Sequence, residues 1–393
     1  LRGSLAWTGR APSGASQYIG AFESLGTYVT NPAIYPSRMQ LDNLKWESTR
    51  DWDFGIDLRL FNKFNFTFDY YDKRTTDLLS SKVDIPSTTG YAQLAWLNSG
   101  IMSNKGFEVR FDYDVFKKGP WSLRLNANAS RNINKVEQLP DNYTQESYTF
   151  GNGNYAMRLV EGQPIGAFYG YRYKGVYQNT NDTYAKDASG NIMYDVNGQA
   201  ITMRNGNTLV YPGDAKYEDV NKDGVINEKD IVYLGNANPK LIFGGGFTLK
   251  WKDLSLTTVL YGRLGQKVIN KARMNLENMY GKGNQSTAVL NRWRSEGDQT
   301  DIPRALYGMG YNYLGSDRFV EDATYVRLKT LTLCYNIPKK FLAKLGLGIS
   351  SCKIYATGYD LFTFTNYSGQ DPEVGMPTAK KLVMDSATTP ISK

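Results

Sequence analysis

The chain has 393 residues, 46 basic against 38 acidic (net charge +8), and 13% aromatic residues, of which Tyr contributes 29. It contains no His and two Cys, which excludes Ser–His and Cys–His catalysis and takes from zinc its usual ligands. No run of about 18 apolar residues occurs, so no transmembrane helix is expected, and a mean hydropathy of −0.48 is compatible with a barrel that shows only alternate residues to lipid.

The N-terminus, Leu1-Arg2-Gly3-Ser4, is not a signal peptide and lacks Met, so the chain reads as processed or partial. A first strand is expected at Gly3–Thr8. Phe54, Ile56, Leu58 and Leu60 then alternate with Asp57 and Arg59; after Asn62-Lys63, Phe64, Phe66, Phe68 and Tyr70 alternate with Asn65, Thr67 and Asp69. This is a hairpin with one apolar and one polar face. In a second hairpin Phe107, Val109, Phe111, Tyr113 and Val115 alternate with Glu108, Arg110, Asp112 and Asp114, and across Lys117–Pro120 Trp121, Leu123, Leu125, Ala127 and Ala129 alternate with Ser122, Arg124, Asn126 and Asn128. A third runs through Phe247, Leu249 and Trp251, turns at Lys252-Asp253, and continues through Leu254, Leu256, Thr258 and Leu260.

These strands run to about 10 residues or more, beyond the roughly 5–6 usual in globular sheets, and suit a tilted bilayer crossing. Tyr70, Tyr71, Trp121, Trp251 and Tyr335 lie near strand ends, as interfacial girdles require. Short turns follow residues 61, 117 and 251, while long polar stretches fill roughly 11–50, 134–165, 179–240 and 266–324. About ten strands are expected, the last at Gly348–Gly358. Phe243-Gly244-Gly245-Gly246-Phe247 lacks the helix a phosphate loop needs and is read as a strand start or bulge. Cys334 and Cys352 sit in strand-like segments; a disulfide and two free thiols both stay open. The charges are mixed along the chain with no basic helix or finger, so no nucleic-acid partner is expected.

Asp219-Val220-Asn221-Lys222-Asp223-Gly224-Val225-Ile226-Asn227-Glu228-Lys229-Asp230 carries chemistry of its own. Asp219, Asn221 and Asp223 offer side-chain oxygens, Val225 its carbonyl, and Asp230 a closing carboxylate, with Asn227 acting directly or through water. Gly224 permits the sharp turn, and Ile226 is placed to anchor a short strand pairing. An oxygen-only set suits a structural calcium ion; Asp in place of the closing Glu makes the loop dockerin-like. An Asx-rich turn held by its own hydrogen bonds is the alternative. Carboxylate pairs such as Asp371 with Glu373, or Asp317 with Glu321, are not singled out for hydrolysis, and no enzyme is expected. The long loops carry Tyr143, Tyr148, Phe150, Tyr155, Phe168, Tyr169, Tyr171, Trp293, Tyr307, Tyr311 and Tyr313, a composition that fits sugar stacking, peptide packing or plain loop packing.

Taken in order, several strings resemble the SusC-like branch of the TonB-dependent outer-membrane transporters. They include Trp46-Glu47; Phe68-Asp69-Tyr70-Tyr71-Asp72-Lys73-Arg74-Thr75; Asn98-Ser99-Gly100 with Asn104-Lys105-Gly106-Phe107-Glu108; and Gly162-Gln163-Pro164-Ile165-Gly166 with Phe168-Tyr169-Gly170-Tyr171. Pro212-Gly213-Asp214, Gly235-Asn236, Pro239-Lys240, Trp293, Asp301-Ile302-Pro303-Arg304, Tyr325-Val326-Arg327-Leu328-Lys329 and Tyr367-Ser368-Gly369-Gln370-Asp371-Pro372-Glu373 also match.

The resemblance implies an all-β, antiparallel transmembrane barrel of roughly 22 strands with long extracellular loops. The family's plug, TonB box and terminal aromatic strand find no counterpart here, so residues 1–393 are expected to be the C-terminal portion of the barrel, with the calcium-type loop insertion at about 179–240. It further implies TonB-energised import of an oligosaccharide or oligopeptide across the outer membrane of a Gram-negative bacterium, under a SusD-like surface lipoprotein. The runner-up is a secreted β-rich glycan-binding or adhesion protein with a calcium-stabilised loop.

Overall fold

A computed structural model describes residues 1–393 except 15, 92, 141–147, 345–347, 376, 379–380 and 388–393. Tyr143 therefore lies outside the described residues. Nine strands form one antiparallel sheet in which sequence neighbours are also spatial neighbours. They are β1 (Arg2–Arg10), β2 (Glu47–Leu60), β3 (Phe64–Thr76), β4 (Ile101–Lys118), β5 (Trp121–Gln138), β6 (Leu241–Trp251), β7 (Leu254–Leu264), β8 (Tyr325–Asn336) and β9 (Lys353–Thr365).

The period-2 pattern of each strand becomes two continuous faces once the register is laid down. One row runs Leu58, Phe66, Phe111, Ala127, Gly245, Leu260, Leu328, Phe362, each residue opposite the next across the sheet. The adjacent row, on the other face, runs Asp57, Thr67, Arg110, Asn128, Gly244, Tyr261, Arg327, Thr363. The first is greasy from β2 to β9; the second is polar save for one glycine. Phe66, Phe111 and Leu125 are half-exposed, and none belongs to either buried cluster of the protein. The apolar face is thus not covered by a second protein layer, as a soluble sandwich would require, and hydrocarbon is its natural solvent.

The belt has rims. At the short-turn end Trp121 opposes Trp251, Trp251 opposes Leu254, and Leu254 opposes Tyr335. The two indole rings lie 5.8 Å apart, and all three aromatic residues are 43% exposed. Toward the other end, the apolar-face positions of β3 change from Phe64, Phe66, Phe68 and Tyr70 to Asp72 and Arg74. These pair with Lys105 at 2.8 Å and Glu137 at 2.8 Å. Such pairs belong in the headgroup and aqueous zone rather than in the hydrocarbon.

Connections are asymmetric. At one end β2–β3 turns through Phe61 and Asn62, both at positive φ, β4–β5 through Gly119-Pro120, and β6–β7 through Lys252-Asp253. The β8–β9 link is longer and carries a short helix, Lys339–Lys344. At the other end lie the segments 11–46, 77–100, 139–240 and 265–324, with 366–385 after β9.

Several expectations need correction. The sheet has nine strands rather than about ten, and its last strand is Lys353–Thr365, not Gly348–Gly358. β5 extends to Gln138, taking in residues assigned to a loop. The segment 77–100, not expected as a long connection, holds the hairpin of Leu79–Asp84 with Gln93–Asn98. A bulge between Asp114 and Phe116 interrupts the alternation carried through Val115 and puts Phe116 opposite Leu123. Gly244, Gly245 and Gly246 lie inside β6 and pair with β5. Cys334 and Cys352 are both free thiols.

Candidate functional site

The molecule's buried core lies in the long connections rather than on the sheet. One cluster gathers Tyr169, Tyr171, Tyr177, Tyr217, Ile226 and Leu314; a second gathers Phe168, Leu234, Val268, Ile269, Met274 and Phe319. Together they draw on 139–240, 265–324 and the segment after β9, so these connections fold into one layer. The stretch 179–240 is part of that layer. The Tyr217 hydroxyl donates to the Tyr311 carbonyl at 3.2 Å and accepts the Leu314 N–H at 3.0 Å. Tyr155 donates to the Ser316 carbonyl at 2.8 Å. Burial raises the Tyr155, Tyr171 and Tyr217 phenols well above their usual range, and Tyr169 to about 12, so these rings stay neutral.

Most of the loop aromatics are therefore core. Tyr155, Phe168, Tyr169, Tyr171 and Trp293 are buried, whereas Tyr307 is 62% exposed. Phe150 and Tyr311 stack edge to face with centroids 4.9 Å apart against the first cluster.

Two strings distant in sequence meet in this layer. Arg304 grips Asp214 with both ends of its guanidinium, Nε to Oδ1 at 2.7 Å and Nη2 to Oδ2 at 3.1 Å. Asn312 closes the joint, donating to the Arg304 carbonyl at 3.0 Å and accepting from the Ala215 N–H at 2.8 Å. Gly213 sits at φ +86°, and Trp293 packs where a Cβ would stand, so only glycine suits the position. Sequence reading found each string but not their pairing, which no local spacing encodes.

The calcium-type loop is well ordered by its own hydrogen bonds. Asp219 accepts N–H groups from Lys222 at 2.8 Å and Gly224 at 2.8 Å; Asp230 accepts from Val220 at 2.8 Å and Asn227 at 2.9 Å. Asp223 accepts from Val225 at 2.9 Å and from the Asn221 amide at 2.8 Å. Ile226 is fully buried, and Val225–Ile226 pairs in parallel with Arg204–Asn205. Burial, opposed by those backbone N–H groups and helped by nearby Asp219, raises the Asp230 carboxyl above its usual range. Asp219 and Asp230 are buried, Asn221 and Asp223 exposed, and Val225 half-buried. Among the described residues, no three His, Cys, Asp or Glu side chains converge as a metal-holding group. A cation here would rely on Asn221 and the Val225 carbonyl as well as the acids.

The carboxylates weighed for hydrolysis are engaged elsewhere. Arg327, whose side chain is 4% exposed, holds Asp371 at 2.6 Å and Glu373 at 3.1 Å. Asp317 accepts the Tyr173 N–H at 2.7 Å, and Glu321 binds the Ser368 hydroxyl and Arg273. On the polar face of the sheet, Arg2 bridges Asp57 at 2.7 Å and Asp69 at 2.8 Å. Beside them a recess of about 600 Å³ is lined by Thr67, Glu108, Arg110, Asp112, Asn126 and Asn128. This arrangement offers polar donors and acceptors along a wall.

Known proteins share this architecture. A model of the TonB dependent receptor-like β-barrel family matches residues 1–199. TonB-dependent receptor P3 of Formosa agariphila is 32% identical over 337 residues, which is 84% of this chain and 31% of that protein. TonB-dependent receptor SusC of Bacteroides thetaiotaomicron is 25% identical over 341 residues, 85% of this chain and 30% of that protein. Among solved structures, the RagAB peptide transporter superposes with a TM-score of 0.70 at 22% identity, over 95% of this chain and 38% of that one. The RagAB peptide importer in its open-open state gives 0.73 at 21% identity, over 95% and 37%. The chain spans about a third of the length of the curated relatives it matches.

Proposed function

The chain belongs to the TonB dependent receptor-like β-barrel family, and from that premise we propose that it forms the C-terminal portion of an outer-membrane import barrel in a Gram-negative bacterium. The observation that carries this reading is the pair of adjacent rows across the sheet, one apolar for lipid and one polar for an aqueous lumen. The loop layer stands at the extracellular mouth, where long connections belong, and the tight turns face the periplasm.

The cargo class is an oligopeptide or oligosaccharide. The RagAB likeness in fold and the SusC relative support that range without choosing within it. A SusD-like lipoprotein covers the mouth, and the TonB complex acts through the plug region of the full transporter. Cells expressing the full-length transporter should accumulate labelled oligopeptides or oligosaccharides only while TonB is intact. Uptake that persists without TonB would sink the reading. Purification in mild detergent should bring down a SusD-like lipoprotein in stoichiometric amount; a solitary barrel would remove the lid from the scheme.

We also propose calcium as a structural ion of the loop Asp219–Asp230, since its donors are all oxygen. The Asx-turn hydrogen bonds hold the loop in a ready shape, and cation binding would draw Asp223 toward Asp219 and Asp230. Calorimetry should show calcium binding that is lost in Asp219→Ala with Asp223→Ala. Unchanged binding in the double variant rules this loop out.

A further inference from the structure

We propose that a basic patch on the lipid-facing side of the sheet, at its mouth end, binds the phosphate of a lipid headgroup in the outer leaflet. This goes beyond import and rests on the outer-membrane reading for the orientation of the barrel. Register builds the patch. On the apolar face Phe54, Tyr70 and Phe107 form one row, and Arg131 of β5 ends it opposite Phe107. Two residues further toward the mouth, Lys105 of β4 stands opposite Asp72. Two further still, Arg50 of β2 stands directly opposite Arg74 of β3, and Lys135 of β5 stands opposite Ser103. Side chains opposite or diagonal across a strand pair lie within about 8 Å of each other, so these cations form one continuous patch over four strands.

Its charges do not cancel. Lys105 takes Asp72 at 2.8 Å, and Arg74 takes Glu137 at 2.8 Å. Arg50, Arg131 and Lys135 are exposed and make no ion pair among the described residues. Five cations thus meet two carboxylates, an excess of three positive charges. Like charges directly opposite on a sheet repel, and Arg50 faces Arg74 in that way; an anion between them relieves the opposition. Depth selects the anion. These side chains share a face with the hydrocarbon belt and stand just beyond its aromatic edge, at headgroup level, while cargo passes along the opposite, polar face. A lipid phosphate is brought to this depth by its own acyl chains, which lie against Phe54, Tyr70 and Phe107. Guanidinium forks then match its oxygens, and the lysines add charge.

The full-length transporter in mild detergent would be titrated with a fluorescent diglucosamine lipid carrying one phosphate, and with the same lipid dephosphorylated. We expect the phosphorylated form to bind at least tenfold more tightly, with the gap narrowing as salt is raised. Arg50→Gln with Arg131→Gln and Lys135→Gln should erase the preference. Lys117→Gln with Lys118→Gln and Lys252→Gln removes the same charge at the tight-turn rim and should leave it intact. Arg131→Gln alone should weaken it severalfold, should the triple variant fail to fold. Equal binding of the two lipids, a preference that survives loss of the three patch cations, or one lost equally in the tight-turn variant, overturns the patch. Displacement of the lipid by equimolar inorganic phosphate would make the occupant a free anion and overturns the lipid. TonB-dependent uptake, scored alongside in cells, separates this from import: intact uptake without a lipid preference removes only the patch, whereas uptake that ignores TonB removes import and leaves the patch to stand or fall by the titration.

Discussion

Asp214 is 5% exposed and accepts both ends of Arg304, whose own side chain is 31% exposed, so removing the arginine strands a buried carboxylate. Arg304→Ala should cost about 3 kcal/mol of loop-layer stability, the usual penalty for leaving a buried charge unpaired. Limited proteolysis of the purified transporter would read this as faster cleavage within 265–324. Unchanged cleavage would mean the joint is not what holds the layer. The partners lie 90 residues apart, which is why the sequence showed two separate strings, Pro212-Gly213-Asp214 and Asp301-Ile302-Pro303-Arg304, and nothing of their pairing. Ile226 was legible because its placement within the loop follows from local spacing: it anchors a short parallel pairing with Asn205, and its side chain is buried. The role of the loop tyrosines was not legible: the same rings suit a sugar platform or a core, and only three-dimensional packing decides between them. Asp230 gives the residue scale its pH test. A raised carboxyl destabilises the fold once ionised, so its penalty is absent below the unfolded value of about 3.9 and grows as pH rises through the folded one. Asp230→Asn should flatten that part of the stability profile in calcium-free buffer. An unaltered profile would assign the dependence elsewhere.

At the scale of elements, the strands were readable because a period of two survives any loop insertion. Their ends were not. Bulges shift the phase, as at Asp114–Phe116 in β4 and at Leu328–Thr330 opposite β9. Asp360 in β9 takes φ +47°, and the alternation Ile354, Ala356, Gly358 resumes as Phe362, Phe364 only after it. That break ended the expected last strand too early. The two faces make a paired prediction. Phe66→Arg on the apolar face should cost about 2–4 kcal/mol of folding free energy in lipid vesicles. Thr67→Arg, one residue along on the polar face, should cost far less; equal penalties would mean the faces have been assigned wrongly. The segment after β9 is tied down by Glu321, which accepts the Ser368 hydroxyl at 2.7 Å and its N–H at 3.0 Å. Burial would raise Glu321, but Ser368 and Arg273 outweigh it and hold the carboxyl below its usual range. Its contribution is therefore full above the unfolded value of about 4.3 and disappears as pH falls through the folded one. Protection factors of the amides around Ser368, corrected for the intrinsic pH dependence of exchange, should fall as the Glu321 carboxyl is protonated and be low throughout in Glu321→Gln.

At the scale of the whole molecule, β1 and β9 each pair on one side only among the described residues. Unpaired backbone is not tolerated in hydrocarbon, so this sheet needs further strands at both edges to stand in a bilayer. Residues 1–393 expressed alone should elute as mixed oligomers or aggregates in detergent, whereas the full-length barrel should elute as a single species. A sharp monomer of the isolated chain would argue for closure by some other route. The two rims of the belt also differ in kind. At the tight-turn rim, Trp121 and Trp251 pair ring to ring with Tyr335 in the same row; at the mouth, the belt gives way to ion pairs. The protein is consequently moored from below. In a thicker or thinner membrane the paired indoles keep their depth, and it is the mouth, with everything that docks on it, that rides higher or lower against the cell surface.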